Sequence, residues 1–415
     1  NIKESFDQVD RGFTRGGVSP LDSYVVDDGW QNVRSLWEFN HKFPNKLYDS
    51  SRQTGRFGSN FGLWLGPQGG YGNPGEMADA LVKENKGSKH AGVVYIGDKR
   101  YVDGLHERFK EYEEKFGINY WKLDGLLLNP KGSSDEHGIG GGYMNMYSMT
   151  ETHERWIELY ETIRKNATDP EKMWINLTSY IPPSPWFLQW VNSIWMQNSG
   201  DVDYQDGVKK EKYRHLDFGS DANEALTYRD DRFEELVKLR KWQLPFANIY
   251  NHDPVYGNTA NSGKALEPHG GQRPKIKFTT DELRTYLYML GTRGTGFWEF
   301  YYSPSMMDDE KWAVNGEAVR WIEDNYETLK HARFHGGKPG HGEVYGYSAW
   351  DKDKGILSIR NPINQEQEYT LKLDRLVGMP ENIGKLYRKV ILGDGRHNTL
   401  ETLSYGDSIT IRLKL

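Results

Sequence analysis

The stretch V-D-G-L-H-E-R-F-K-E-Y-E-E-K-F-G-I-N-Y-W-K-L-D, residues 102–124, holds two hydrophobic patterns end to end. As far as Phe116 its apolar residues recur at the spacing of an amphipathic helix, and from Ile118 the run is short and strand-like. Period two across the strand puts Tyr120, Lys122 and Asp124 on one face and Trp121 and Leu123 on the other. A helix feeding a strand that ends in a carboxylate is the unit of an α/β fold.

The same alternation extends in both directions. Strand candidates lie at 23–28, 61–66, 118–124, 173–177, 192–196, 246–251 and 295–300. Helical patterns lie between them, as at 153–165, 231–242 and 281–290, and a last one covers 316–330. Strands separated by helices predict a parallel sheet with helical crossovers. About seven strands are visible where a closed (β/α)8 TIM barrel needs eight. A helix-like N-I-K-E-S-F-D-Q-V precedes the first of them, so the missing strand is expected upstream of Asn1.

Beyond about residue 335 the pattern becomes strands and glycine-bearing turns: E-V-Y-G-Y-S-A-W, G-I-L-S-I-R-N-P, Q-E-Y-T-L-K-L, K-L-Y-R-K-V-I and S-I-T-I-R-L-K-L. This predicts a C-terminal antiparallel β-sandwich. The expected domains are a barrel over 1–334 and a sandwich over 335–415, with the boundary inside R-F-H-G-G-K-P-G-H-G.

The net charge of −6 and the lack of a basic cluster argue against a nucleic-acid partner. With no cysteine, disulfides, thiolate metal sites and a cysteine nucleophile are excluded. No apolar run reaches the roughly 18 residues of a membrane span, so no membrane partner is expected. The compartment stays open, with a bacterial secreted or cell-surface setting favoured. Aromatic residues make up 13% of the chain, including 26 Tyr and 14 Trp, and such rings serve sugar faces and protein cores alike.

Barrel enzymes carry their reacting groups at the C-terminal ends of strands. Asp124 ends one, and Lys122 two residues earlier is expected to keep it ionised; the plainer reading is an internal ion pair. In W-M-Q-N-S-G-D-V-D-Y, Asp201 and Asp203 follow another strand, in a loop that by itself reads as a solvated turn or a cap. One ionised and one protonated carboxyl across a cavity would suit glycosidic bond cleavage. Asp27 and Asp28 end the first strand beside Trp30. Neighbouring carboxylates repel, so the pair suits a hydroxyl-rich ligand, with Trp64 stacking beside it; the structural alternative is a helix cap and a core tryptophan. His252 ends a further strand as a candidate substrate contact, and Glu299 is a weaker one. Asn176 and Gln197, next to the fifth and sixth strand ends, complete the candidate binding set.

Three of these motifs, V-V-D-D-G-W, Y-W-K-L-D-G and W-M-Q-N-S-G-D-V-D, resemble in order those of glycoside hydrolase clan D, the retaining α-galactosidases and α-N-acetylgalactosaminidases of families 27 and 36. The resemblance implies that Asp124 is the nucleophile and Asp201 the general acid/base. It also implies that Asp27 and Asp28 hold the sugar's 4- and 6-hydroxyls, Lys122 its 3- and 4-hydroxyls, and that Trp64 walls a subsite. The substrate is then an oligosaccharide or glycoconjugate, and no cofactor or metal is needed. Where family 27 usually has an arginine reading the sugar's 2-position, this chain has Met196, followed by Gln197 and Asn198. The loop N-L-T-S-Y-I-P-P-S-P-W also departs from both families. Galactose and N-acetylgalactosamine therefore remain alternatives. So do an inactive sugar-binding relative and a metal-dependent hydrolase gathering Asp27, Asp28, Asp201, Asp203 and His252 around a divalent ion.

Overall fold

In the computed structural model, residues 2–18, 20–126, 146–179, 184–196, 212–256, 278–393 and 399–414 are described. They form two units, one of residues 1–10 and 19–197 and one of residues 11–18 and 198–415. Helix α1 (Ile2–Arg15) runs through the first junction.

The first unit is built on parallel strands β1 (Ser23–Val26), β2 (Asn60–Leu65), β5 (Ile118–Leu126), β6 (Trp174–Ser179) and β7 (Ser193–Trp195), each paired with the next. Helix α2 (Tyr48–Arg56) joins β1 to β2. Helix α3 (Pro74–Lys83), a small ribbon of β3 (Lys89–His90) and β4 (Val93–Val94), and helix α4 (Lys99–Phe116) join β2 to β5. Helix α5 (Met146–Asn166) leads to β6. Every strand foreseen in this unit is present within two residues of its expected ends.

Helix α4 shows why the opening stretch reads clearly. The Asp98 side chain accepts from the Arg100 amide at its start, and Gly117 at its end takes the left-handed φ of 62° that lets its N–H reach the Glu113 carbonyl. Tyr101, Val102, Leu105, Phe109, Tyr112 and Phe116 are buried along one stripe. Strand β5 is buried along nearly its whole length, as expected of a parallel strand covered on both faces.

The second unit contains helices α6 (Asp221–Glu234), α7 (Thr280–Thr292) and α8 (Asp309–Leu329) and the two-residue strands β8 (Ile249–Tyr250), β9 (Val255–Tyr256) and β10 (Tyr301–Tyr302). The helix expected at 231–242 starts earlier, capped by Ser220, and passes into a π turn over Glu235–Leu239. Arg229, Asp230, Asp231 and Glu234 are buried among Ala222, Leu226 and Phe233, so charged residues interrupt the apolar period on the inward face of α6 that would reveal it. The strand expected at 246–251 is a 3-10 turn (Phe246–Asn248) followed by β8. That expected at 295–300 is irregular, with Gly296 and Glu299 donating to Ala247 and Asp253 rather than in a continuous ladder.

The C-terminal strands are antiparallel, as foreseen. β11 (Arg333–Gly336), β12 (Tyr345–Trp350) and β13 (Gly355–Arg360) form one sheet; β14 (Gln367–Lys372) pairs with β17 (Ser408–Leu413), and β15 (Leu386–Arg388) with β16 (Thr399–Leu403). Trp350, Leu371, Leu373, Val377, Met379, Ile383 and Ile409 pack as their core. Strand β11 spans residues 334 and 335, between which the two domains were expected to divide. Within this unit Asp230 accepts from Arg293 Nε at 2.6 Å, Tyr345 Oη at 2.5 Å and Tyr347 Oη at 2.8 Å, tying α6 and α7 to β12.

Candidate active site

Register in the first unit brings the ends of three strands together. Trp64 on β2 pairs with Lys122 on β5, which pairs with Asn176 on β6. Neighbours across parallel strands share a face, about 5 Å apart, so Lys122 and Asp124 rise from the middle of the row.

Asp124, partly exposed, receives a hydrogen bond on each carboxylate oxygen. Trp64 Nε1 donates to Oδ2 at 3.0 Å, and Tyr71 Oη donates to Oδ1 at 3.0 Å. Desolvation raises its pKa above the usual carboxylate range, opposed first by the Lys122 charge and then by the Trp64 and Tyr71 hydrogen bonds, while the Asp27 charge adds to the rise. Lys122 does favour the ionised form, as expected, but its ion pair goes elsewhere. Its Nζ lies 2.8 Å from Asp27 Oδ2, with the lysine buried and the aspartate 48% exposed.

The adjacent acids avoid burial by facing solvent at the strand end. Asp27 Oδ1 accepts from the Asp28 amide at 2.8 Å, and Asp28 Oδ1 accepts from Gln31 Nε2 at 2.6 Å. Gln31 in turn accepts from the Gly29 amide, and Gly29, at a φ of 103°, takes a conformation that a side chain would strain.

Three of the expected substrate contacts are corrected. Trp30 and Trp64 are wholly buried, leaving no ring face for a sugar to stack on. Trp30 donates from Nε1 to the Trp64 carbonyl at 2.8 Å and is a core residue behind the strand ends; Trp64 reaches the site only through its N–H on Asp124. Asn176 is also wholly buried, donating to Tyr120 Oη and accepting from Trp174 Nε1 and the Ser193 hydroxyl, which ties it into the sheet.

In the second unit His252 Nδ1 lies 2.9 Å from Glu299 Oε2, Tyr301 Oη donates to Glu299 Oε1 at 3.1 Å, and the His252 and Tyr301 rings meet edge to face. Glu299 thus orients His252. Asp201, Asp203 and Gln197 lie outside the described residues. Among the described residues no three His, Cys, Asp or Glu side chains gather as metal ligands do, and no helix is long and apolar enough to cross a membrane. Tyr71 and Gln31 escape a reading of the sequence, because G-G-Y-G-N-P announces only a turn and Gln31 only a residue after a tryptophan. A lone aromatic in a glycine loop directly after a parallel strand is the signal that points to Tyr71.

No family model and no curated protein sequence matches the chain. Solved structures do. The family 36 α-galactosidase AgaA from Geobacillus stearothermophilus aligns over 99% of this chain and 53% of its own, at 14% identity and a TM-score of 0.55. An α-galactosidase from Lactobacillus brevis aligns over 100% of this chain and 53% of its own, at 12% identity and a TM-score of 0.59. An α-amylase from Anoxybacillus, at 11% identity and a TM-score of 0.51, is covered over 87% of its length. The chain spans about half the length of the α-galactosidases it matches, and at these identities the likeness is one of architecture: the protein shares the fold of family 36 α-galactosidases.

Proposed function

We propose that the protein is a retaining glycoside hydrolase that removes terminal α-linked galactose-type sugars by double displacement, on a (β/α) barrel of residues 1–334 followed by a β-sandwich of residues 335–415. The observation that carries this reading is the setting of Asp124. It lies two residues before the end of a central parallel strand with both oxygens held by donors, beside the exposed Asp27 carboxylate and its Lys122 partner. Three sequence motifs in clan D order and the shared fold support the same assignment.

Asp124 attacks the anomeric carbon while Asp201 protonates the departing oxygen; Asp201 then acts as base on the water that releases the sugar with its α-configuration retained. Asp27, Asp28 and Lys122 hold the sugar hydroxyls, where a carboxylate accepts and an ammonium donates. His252 is a further sugar contact. The sugar's 2-position is the open choice. Met196 stands where family 27 has its arginine and is wholly buried, so an N-acetylgalactosamine substrate is the second reading.

A panel of nitrophenyl α-glycosides of galactose, N-acetylgalactosamine and glucose tests both. The expected result is hydrolysis of the galactoside, release of the α-anomer by proton NMR, and loss of turnover by about 1,000-fold or more in Asp124→Asn with the fold intact. Substantial residual hydrolysis by that variant refutes the nucleophile assignment. Sugar binding without turnover of any α-glycoside would identify the protein as an inactive relative.

A further inference from the structure

The loop after β2 is shaped around Asp124. In G-P-Q-G-G-Y-G, residues 66–72, the amides of Gly69 and Gly70 both donate back to the Gly66 carbonyl, at 2.8 and 3.1 Å. Gly69 and Gly70 adopt φ of 113° and 81°. A Cβ on Gly66 would stand 2.7 Å from the Trp64 ring, one on Gly69 would stand 2.9 Å from the Pro74 backbone, and one on Gly70 would stand 2.8 Å from Gln31 Nε2. Glycine is required three times in five residues, and the outcome is one particular placement of the next residue. That residue, Tyr71, is 61% exposed and buries little of its ring, yet its hydroxyl meets Asp124 Oδ1 at 3.0 Å.

Trp64 and Tyr71 divide the carboxylate between them. The buried indole N–H fixes Oδ2, and the phenol reaches Oδ1 from the solvent side. A carboxylate held at one oxygen alone can still rotate about its Cβ–Cγ bond, whereas donors on both oxygens fix its plane. We propose that Tyr71 is a positioning residue for Asp124, its hydroxyl fixing the carboxylate oxygen that Trp64 leaves, so that the plane of the nucleophile is set from both sides before substrate arrives. This rests on Asp124 as the reacting carboxylate and adds a residue that the clan D motifs quoted above do not contain.

The charged groups facing Asp124 are Lys122 on its own strand and Asp27 after β1; the phenol is the neutral partner. Because a hydrogen bond to the charged form favours ionisation, deleting it gives a reading that does not depend on turnover. Protein labelled with 13C at aspartate carboxyls, with the Asp124 signal assigned by its loss in Asp124→Asn, is titrated as wild type, Tyr71→Phe and Tyr71→Leu. Both Tyr71 variants are expected to titrate about one pH unit higher than wild type, the scale of one hydrogen bond to a charged group. An unchanged midpoint in Tyr71→Phe overturns the proposal. So does a shift seen in Tyr71→Leu alone, since the ring rather than the hydroxyl would then be responsible.

With a turned-over galactoside, Tyr71→Phe is further expected to lower kcat about tenfold with KM little changed. A tenfold rise in KM at constant kcat would make Tyr71 a binding group and overturn the positioning role. If wild type hydrolyses no glycoside, the glycosidase reading fails, and the titration still decides whether Tyr71 holds Asp124.

Discussion

Replacing Glu113 by Gln is expected to stabilise the protein at neutral pH and to leave it unchanged in acid. Glu113 is wholly buried on the inner face of α4, where Oε1 accepts from Trp121 Nε1 at 2.8 Å and Oε2 has no partner among the described residues. Burial is the main reason that its pKa rises from 4.5 to about 8, with the neighbouring Glu114 charge adding and the Trp121 hydrogen bond opposing. Between those two values the folded protein holds a proton that the unfolded chain has released. Stability from this group is therefore complete below pH 4.5 and is lost as pH climbs toward 8. Each unit costs about 1.4 kcal/mol, so the penalty at pH 7 is about 3 kcal/mol. Glutamine keeps the acceptor for Trp121 and places an uncharged amide where the protonated acid has its hydroxyl, so a neutral donor group stands at that position in both proteins. Urea unfolding of wild type and Glu113→Gln at pH 4.5, 6 and 7, followed by tryptophan fluorescence, measures the difference. It should grow from near zero to about 3 kcal/mol. A difference that is flat with pH, or a variant less stable than wild type at pH 7, would show that Glu113 is ionised and solvated in the native state, and the reasoning would be wrong.

His335 behaves with the opposite sign. Burial pushes its pKa from 6.5 down to about 4, against the opposing pull of the Ser358 carbonyl, so its contribution is complete above pH 6.5 and fades as pH falls. At pH 5 the loss is about 2 kcal/mol, and the acid slope in urea unfolding should be shallower in His335→Gln by that amount. Asp230→Ala removes the acceptor shared by Arg293, Tyr345 and Tyr347 and should cost about 3–5 kcal/mol in the same assay; a loss under 1 kcal/mol would mean that the network is dispensable. Burial raises the Asp124 pKa, so kcat/KM should fall with acid through a limb above the usual carboxylate range. Lys122→Met should move that limb higher still, because the Lys122 charge is the largest opposing influence; an unmoved limb would assign it to another group.

The parts of the fold that could be read from sequence are those whose burial is apolar. Strand β5 and helix α4 carry their apolar residues on the faces they bury, and their ends fall within three residues of where periodicity puts them. Helix α6 defeats the same reading because its buried face holds Arg229, Asp230, Asp231 and Glu234, the first three of which pair with groups remote in sequence. The candidate site divides in the same way. That Lys122 and Asp124 share a face follows from period two. That Trp30 and Trp64 sink beneath the site follows from packing, to which sequence spacing is blind. An exposed tyrosine that reaches a carboxylate through a glycine-rich turn leaves no periodic trace.

The charges at the strand ends form one economical arrangement. Asp27 and Asp28 are adjacent and exposed, which spares both the cost of desolvation, and each is given a different donor, the Lys122 ammonium and the Gln31 amide. Lys122, itself buried, needs a counter-ion within reach, and Asp27 supplies it at 2.8 Å without facing the core. Asp124 is then left with two neutral donors and a cation that favours it from one side only, the Asp27 charge offsetting part of that help. A carboxylate held in this way is oriented firmly but not tied up in an ion pair. That setting suits the proposed role of Asp124, because a carboxylate outside an ion pair keeps more of its charge for attack on carbon.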